Sequence, residues 1–457
     1  MKTASISFRE VKGFGFRFDA PVHLSEGVSA KRLMQSCPYE LLTIGDVSER
    51  VWHAGRWRRV YVNNPNNGIT LLGSSAILKS DLSKEKMISV KYTEDKEDKA
   101  LKKGWTLISC SGTIGNCAFA NAQHAEKLAS QDVIRVSPNN ILREGVIYAF
   151  LASKYGYSML TQGTFGSVIQ HIEPENVKSI PIPHFPETFQ KEVDDLMQES
   201  ARLREEAVDA LEVAKGLIMD FCQEEYATTR LKRFVSVKIK GVCSTLNTRF
   251  DPTIYINKGV QWVKSIQKQS TRLGDLNVKM WYPGIFKRAY VENGLPYLKG
   301  SSVFDVNPFK TCDHLSKART PKLDDLWLKE GMLLITCAGA CGLVKMITKE
   351  YEDKGAIGSP DIIRLVSNDT LFTTEYIFAY LQLPPIYDYM QSLKYGSVIE
   401  RFDIENIKTI PIVRPTEELS QAVTDIVKSY MAKTYRAFKC EEQAIHMVER
   451  EIESWNK

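Results

Sequence analysis

The sequence predicts an α+β fold, with two similar mixed α/β domains separated by two long antiparallel coiled-coil helices in a pseudo-two-fold tandem repeat. Two observations predict it. The first is a repeat: FGSVIQHIEPENVKSIPI at 165–182 returns as YGSVIERFDIENIKTIPI at 395–412. The second is a pair of heptad patterns, each following one copy of that segment, at 186–226 and 415–455. Fixed-period self-similarity is read before anything else, because it sets the architecture.

The match extends through both copies in the same order. RFDAP at 17–21 answers RFDPT at 249–253, and IGDV at 44–47 answers LGDL at 273–276. VWHAGRWRRVY at 51–61 answers MWYPGIFKRAY at 280–290, and GSSAI at 73–77 answers GSSVF at 300–304. KGWTLISCSGTIG at 103–115 answers EGMLLITCAGACG at 330–342, and DVIRV at 132–136 answers DIIRL at 361–365. The offset stays between 227 and 233, the drift that small loop insertions produce. Domain boundaries follow at 1–185, 186–235 (long helix and linker), 236–414 and 415–457 (second long helix).

Within each globular part, WTLIS, DVIRV, MLLIT and DIIRL read as short strands bounded by Gly, Ser and Asn. VIYAFLASKYGYSML and EYIFAYLQLPPIYDYM read as one helix per copy, the second broken or bent at Pro384 and Pro385. Each heptad segment opens with Pro and acidic residues, a helix start. The first seam runs from Phe189 and Val193 through Ala207, Ala210 and Ala214 to Leu217, with Ser200 as its polar exception. The second runs from Leu419 and Val423 through Ala437 and Cys440 to Met447, with Lys433 as its exception. About 40 helical residues span about 60 Å, so an antiparallel return would hold two globular parts apart on a two-helix rod.

The 457 residues have room for two or three domains and carry no run of about 18 apolar residues. Nine scattered cysteines complete no zinc pattern and read as reduced, cytoplasmic thiols. The net charge of +5 permits a polyanionic partner without demanding one. No catalytic motif emerges. The dipeptide Gly-Lys of a phosphate-binding loop never occurs, and the seven histidines show no HExxH spacing. Ser111 of CSGTIG becomes Ala338 in CAGACG, which excludes a shared serine nucleophile. Neither metal nor catalytic residue is expected. Two similar globular parts on a spacer suit two sites on a long regular ligand, such as duplex DNA.

Two copies of a domain ending in the GSVI…IPI segment, each followed by a long heptad helix, resemble the specificity (S) subunit of Type I restriction–modification enzymes. SCSGTIG at 109–115 is similar to a glycine-bearing element of that family's target-recognition domains, and CAGACG departs from it. The resemblance implies a non-catalytic cytoplasmic subunit of a phage-defence system. Each target-recognition domain would read one half of an asymmetric, bipartite double-stranded DNA target. The helices would dock two methyltransferase subunits, with restriction/translocase subunits joining them. S-adenosylmethionine, ATP and Mg would bind on those partners, with no cofactor in this chain and no membrane contact.

The duplication offers an internal comparison for base readers. Shared positions suit scaffold or phosphate contact, whereas positions that differ suit base readout. RWRR at 56–59 against IFKR at 285–288 is the best basic–aromatic cluster. Arg59 and Arg288 correspond as phosphate candidates; Arg56, Trp57 and Arg58 differ from their counterparts, and Lys287 sits in the second cluster. Ser74 and Ser75 answer Ser301 and Ser302, with Lys299 adjacent. Ser167, Gln170 and His171 face Ser397, Glu400 and Arg401, and Gln131 stands against Pro360. Asn176, Lys178, Asn406 and Lys408 recur unchanged and read as the junction with the helices. A stand-alone two-headed DNA-binding regulator, the specificity partner of a fused methylase–nuclease, and a protein-binding scaffold are the alternatives.

Overall fold

The computed structural model describes residues 8, 11, 26–162, 171–224, 226, 234–243, 248–396, 398 and 400–455. The chain forms two compact units, Met1–Glu205 with Arg436–Lys457, and Glu206–Tyr435.

Each unit is built on the same four-stranded antiparallel sheet. In the first unit the order is Ser48–Trp52, Val133–Pro138, Thr106–Ser109, Cys117–Phe119. In the second it is Val278–Trp281, Ile362–Ser367, Leu333–Thr336, Val344–Met346. The runs read as strands from their β-branched content are the buried inner strands of these sheets. A second, smaller sheet accompanies each. In the first unit it has four strands, Tyr61–Val62, Met87–Ser89, Gly68–Leu72 and Leu128–Ala129. In the second it has three, Asp313–Leu315, Tyr290–Leu298 and Ile357–Gly358.

One residue in the repeated DVIRV and DIIRL segments ties the two sheets together. Arg135 and Arg364 are fully buried. Arg135 donates to the carbonyls of Val133 at 3.0 Å, Lys99 at 3.2 Å and Ala129 at 2.5 Å. Arg364 donates to the carbonyls of Ser359 at 3.0 Å, Ile362 at 2.5 Å and Gly358 at 2.7 Å. A buried guanidinium is tolerable only with such bonds. Burial pushes both pKa values down to about 10, which leaves the groups charged at neutral pH. Trp52 and Trp281 repeat a smaller device, each indole N–H donating at 3.2 Å to the carbonyl of Asp98 or Asp325.

The IPI segments form short strands. Leu41–Thr43 pairs with Pro181–Pro183, and Ser270–Arg272 with Pro411–Val413, both antiparallel. Ile180, Ile182, Ile410 and Ile412 are buried, as expected of the junction. The recurring asparagines cap short helices. Asn176 and Asn406 each occupy the third helical position of a reciprocal capping box, with Glu173 and Asp403. Lys178 and Lys408 reach Glu175 and Glu405 one turn earlier, both at 2.7 Å.

The single helix expected after the strands is two helices in both units. Pro384 and Pro385 open the second of Thr374–Leu381 and Pro384–Leu393, where proline is accommodated. In the first unit the break falls without proline, between Glu144–Ala152 and Lys154–Gln162. Ser153 causes it: its extended backbone leaves the helix, and its hydroxyl accepts from the Gly156 amide at 3.2 Å. Gly156 lets the turn close, since a Cβ there would lie 2.1 Å from the Phe150 carbonyl oxygen.

The long helices are Glu187–Cys222 and Glu417–Ser454. In the first unit Val193, Met197 and Ala201 share a core with Ala444, Val448 and Ile452. In the second, Ala214, Ile218 and Cys222 share one with Val423, Val427 and Met431. Each unit thus combines opposite ends of the two helices, which is antiparallel pairing. The buried stripe drifts from the heptad seam: Leu217 is exposed while Ile218 and Cys222 are buried. An α-helix turns every 3.6 residues, so a stripe along a straight helix slips about 20° per heptad. The two polar exceptions are both paired. Ser200 donates to the Ala437 carbonyl at 2.8 Å, and Lys433 meets Glu206 at 3.1 Å.

Candidate nucleic-acid interface

In each unit the candidate residues lie on loops at one end of the four-stranded sheet. The loop at 53–60 leaves the strand ending at Trp52, and its counterpart at 282–289 leaves the strand ending at Trp281. An aromatic residue anchors each loop. Trp57 packs half-buried on Leu71, Ile88 and Leu128. Phe286 packs the same way on Tyr297, Leu315, Leu326 and Ile357. Trp57 therefore positions its neighbours, flanked by exposed Arg56 and Arg58; Lys287 is likewise exposed.

The last residue of each cluster is an arginine held by a side chain. Arg59 donates to Gln131 and lies 5.1 Å from the Trp57 ring centroid. Arg288 donates through Nε to the Tyr297 hydroxyl at 2.7 Å and lies 5.6 Å from that ring. Burial lowers the Arg288 pKa, but the Tyr297 bond and the neighbouring Tyr290 and Asp361 outweigh it and leave the pKa above the usual value. The anchors are not equivalent residues. Gln131 corresponds to Pro360, and the strand pairings place Leu71 where the second unit has Tyr297. Both anchors have changed while the arginine has stayed.

The glycine-bearing turns lie beside these arginines and fold alike despite their different side chains. Gly112 and Gly115, like Gly339 and Gly342, have φ between 72° and 81°, a conformation that favours glycine. The amide of Gly115 donates to Ser109 at 2.8 Å, and that of Gly342 to Thr336 at 2.9 Å. Ser111 pairs through its backbone with His171, and Ala338 pairs with Arg401. The turn is thus a main-chain structure, which explains why Ser111 and Thr113 can become alanine. His171 and Arg401, read as a variable pair, project from matched, exposed positions.

Between the arginine loop and the turn lies an aspartate that sequence reasoning passed over. The Asp132 carbonyl accepts from the Cys110 amide at 3.0 Å and from the Ser74 hydroxyl at 2.9 Å. Its carboxylate accepts from Gln131 at 3.0 Å. Asp361 repeats the backbone contact, accepting from the Cys337 amide at 3.2 Å. Burial first, then these aspartates, push the thiols of Cys110 and Cys337 up to about 12 and about 11, so both are protonated at neutral pH. The first unit therefore gathers Arg59, Gln131, Ser74 and the Ser111–His171 pair around Asp132.

Other candidates have simpler settings. Ser75 and Ser301 are exposed. Ser302 accepts from the Lys299 amide at 3.1 Å and so shapes its turn. Lys299 pairs with Asp313 at 2.7 Å. Ser167, Gln170 and Ser397 lie outside the described residues. Tyr297 was missed because Lys299 is an extra residue between matched Leu72 and Leu298 and the following glycines, which hides its register. The repeated aspartate of DVIRV and DIIRL was the available signal for Asp132 and Asp361. Among the described residues no His/Cys/Asp/Glu group could hold a metal, and no helix is long and apolar enough to cross a membrane.

A search of curated proteins found no match. Three solved structures are similar in extent. The S subunit of a Type-I restriction-modification system from M. genitalium is 12% identical over 91% of this chain and 96% of that one, with a TM-score of 0.32. The HsdS subunit from Thermoanaerobacter tengcongensis is 14% identical over 91% and 97%, with a TM-score of 0.30. A structure titled for complex assembly and conformational transition of the type I R-M system is 14% identical over 92% and 97%, with a TM-score of 0.28. The sequence model of the Type I restriction modification DNA specificity domain matches residues 38–200, which hold the first unit's sheets and the start of its long helix. Residues 38–200 thus match the Type I restriction modification DNA specificity domain, the family that the repeated motifs resemble.

Proposed function

We propose that this chain gives sequence specificity to a Type I restriction–modification complex by reading a bipartite DNA target, one half per unit, and that it docks the methyltransferase and restriction subunits. The observation that carries the reading is the matched arginine. Arg59 and Arg288 keep their place on loops of equal length although their anchors, Gln131 and Tyr297, are unrelated. A guanidinium kept under such changes suits a task common to both halves, and phosphate contact is one. Around it the exposed residues differ, Arg56 and His171 against Ile285 and Arg401, as two unlike half-sites require.

The antiparallel pairing of opposite helix ends is consistent with docking more than one partner copy. Catalysis would belong to the partners; the buried thiols of Cys110 and Cys337 beside the candidate face are protonated and offer no thiolate nucleophile there.

The test is to capture the tagged full chain from its host, identify co-purifying proteins by mass, and sequence host DNA for modified bases with and without the gene. Recovery of a methyltransferase, with a bipartite modified sequence lost on deletion, is the expected result. Recovery of the chain alone, with modification unchanged, overturns the proposal and favours a stand-alone regulator.

A further inference from the structure

We propose that the two units read different classes of base at one matched position, with Arg56 reading a guanine and Ile285 the methyl group of a thymine. This rests on the DNA-reading function proposed above and names the chemistry of its two half-sites. The two loops correspond residue for residue from Trp52 to Tyr61 and from Trp281 to Tyr290. Each is pinned by its half-buried aromatic, Trp57 or Phe286. The residue immediately before the anchor is Arg56 in one and Ile285 in the other, and both are exposed.

Ile285 is 92% exposed, so it contributes almost nothing to the fold of its own unit. A lone exposed aliphatic needs no explanation, but Ile285 has a companion. Val398, 93% exposed, sits in the segment between Tyr395 and Arg401, which bond each other's backbone at 2.7 and 3.0 Å. The bases of the two segments are neighbours: the Tyr395 hydroxyl donates to Asp403 at 3.1 Å, and Asp403 lines one cavity with Tyr282. Two aliphatic tips thus rise from adjoining bases that also carry Lys287, Arg288 and Arg401. Cations beside the tips suit phosphates. An aliphatic tip that enters the major groove between phosphate contacts finds one apolar group there, the thymine C5-methyl. An arginine at the same place finds the O6 and N7 acceptors of guanine.

The test begins with selection of bound duplexes from a random library by the full chain. Selection with Arg56→Ile and with Ile285→Arg then assigns each half-site, because each variant should change the bases selected in one half only. On the wild-type chain, replacing thymine by uracil in the half-site assigned to Ile285 should weaken binding about three- to fivefold, the value of one buried methyl. Ile285→Ala should bind both duplexes equally. Replacing guanine by 7-deazaguanine in the other half-site should weaken binding roughly tenfold. The proposal is overturned if uracil leaves affinity unchanged, or acts only in the half-site altered by Arg56→Ile. If no duplex is selected at all, the DNA-reading function itself fails.

Discussion

Arg59 and Arg288 occupy the same place in the two units, yet one is held by an amide and the other by a phenol. Where the first unit has Gln131 and Leu71, the second has Pro360 and Tyr297. Neither partner pair would work with one member exchanged, because Pro360 offers no side-chain acceptor and Leu71 no hydroxyl. Two anchors have replaced each other around an unchanged guanidinium. The same holds deeper in each unit. His124, buried, faces the Ile77 carbonyl at 3.2 Å, and its counterpart Tyr351 donates at 2.9 Å to the carbonyl of Val303, one residue before the match to Ile77 on the same short turn. What persists between copies is a bond to be made, and the residue that makes it is free to change.

The largest test of this comparison removes a feature that did not change. Arg135→Met and Arg364→Met each strand several buried carbonyls, and each should destabilise its own unit by about 3–5 kcal/mol. Hydrogen exchange of the full chain in rising urea should show protection lost first in the mutated unit. Equal loss in both units would mean that the units do not unfold separately.

Acid should separate the units next. Burial pushes the His124 pKa from 6.5 down to about 4. Its folded pKa is depressed, so the unfolded chain binds the proton first and stability falls as the pH drops. The contribution is fully present above pH 6.5 and disappears towards pH 4, at about 3 kcal/mol in all. Tyr351 has its pKa raised by burial, then by Glu350, and does not titrate there. Urea melts at pH 7.5 and pH 5 should therefore show a loss in the first unit that His124→Gln abolishes.

The anchors come third. Under the proposed DNA-reading function, Gln131→Ala and Tyr297→Phe each free one arginine, and each should weaken DNA binding about fivefold through its own half-site, the worth of one hydrogen bond. Arg59→Ala or Arg288→Ala should weaken binding to all sequences alike and lower the salt slope by about one. A change in base preference instead would make these arginines base readers. The smallest effect is Ser200→Ala, which removes one buried bond to Ala437 and should cost about 1 kcal/mol in a urea melt.

How much of this was legible depended on whether the information was duplicated. The strands of DVIRV and DIIRL, the junction at the recurring asparagines and the broken helix at Pro384 were readable because composition or repetition marked them, whereas the asparagines' capping role was not. The break at Ser153 was not, since a serine signals a helix start only when its hydroxyl meets the third amide, here that of Gly156. The end of the first stripe, at Leu217, was misread because heptad counting ignores the slip of a straight helix, whereas Ala214 is buried as its seam position implied. Within the candidate face, Arg59 and Arg288 were visible from their matched positions. Tyr297 was hidden by a single inserted lysine, and the setting of Trp57 was not readable because sequence does not distinguish a ring lying on a core from one facing solvent.

The buried arginines have one further consequence. Arg135 and Arg364 grip only carbonyl oxygens. Every amino acid supplies that oxygen, so the bonds call for no particular side chain on the held segments, the one tight place being Gly358, where a Cβ would lie 2.8 Å from the Arg364 guanidinium. Lys99 can stand where the other copy has Leu326, and Ala129 where it has Gly358, without loosening it. A clasp of this kind asks little of spelling, and it lets two descendants of one domain drift apart in wording while the shape that carries their matched loops stays the same.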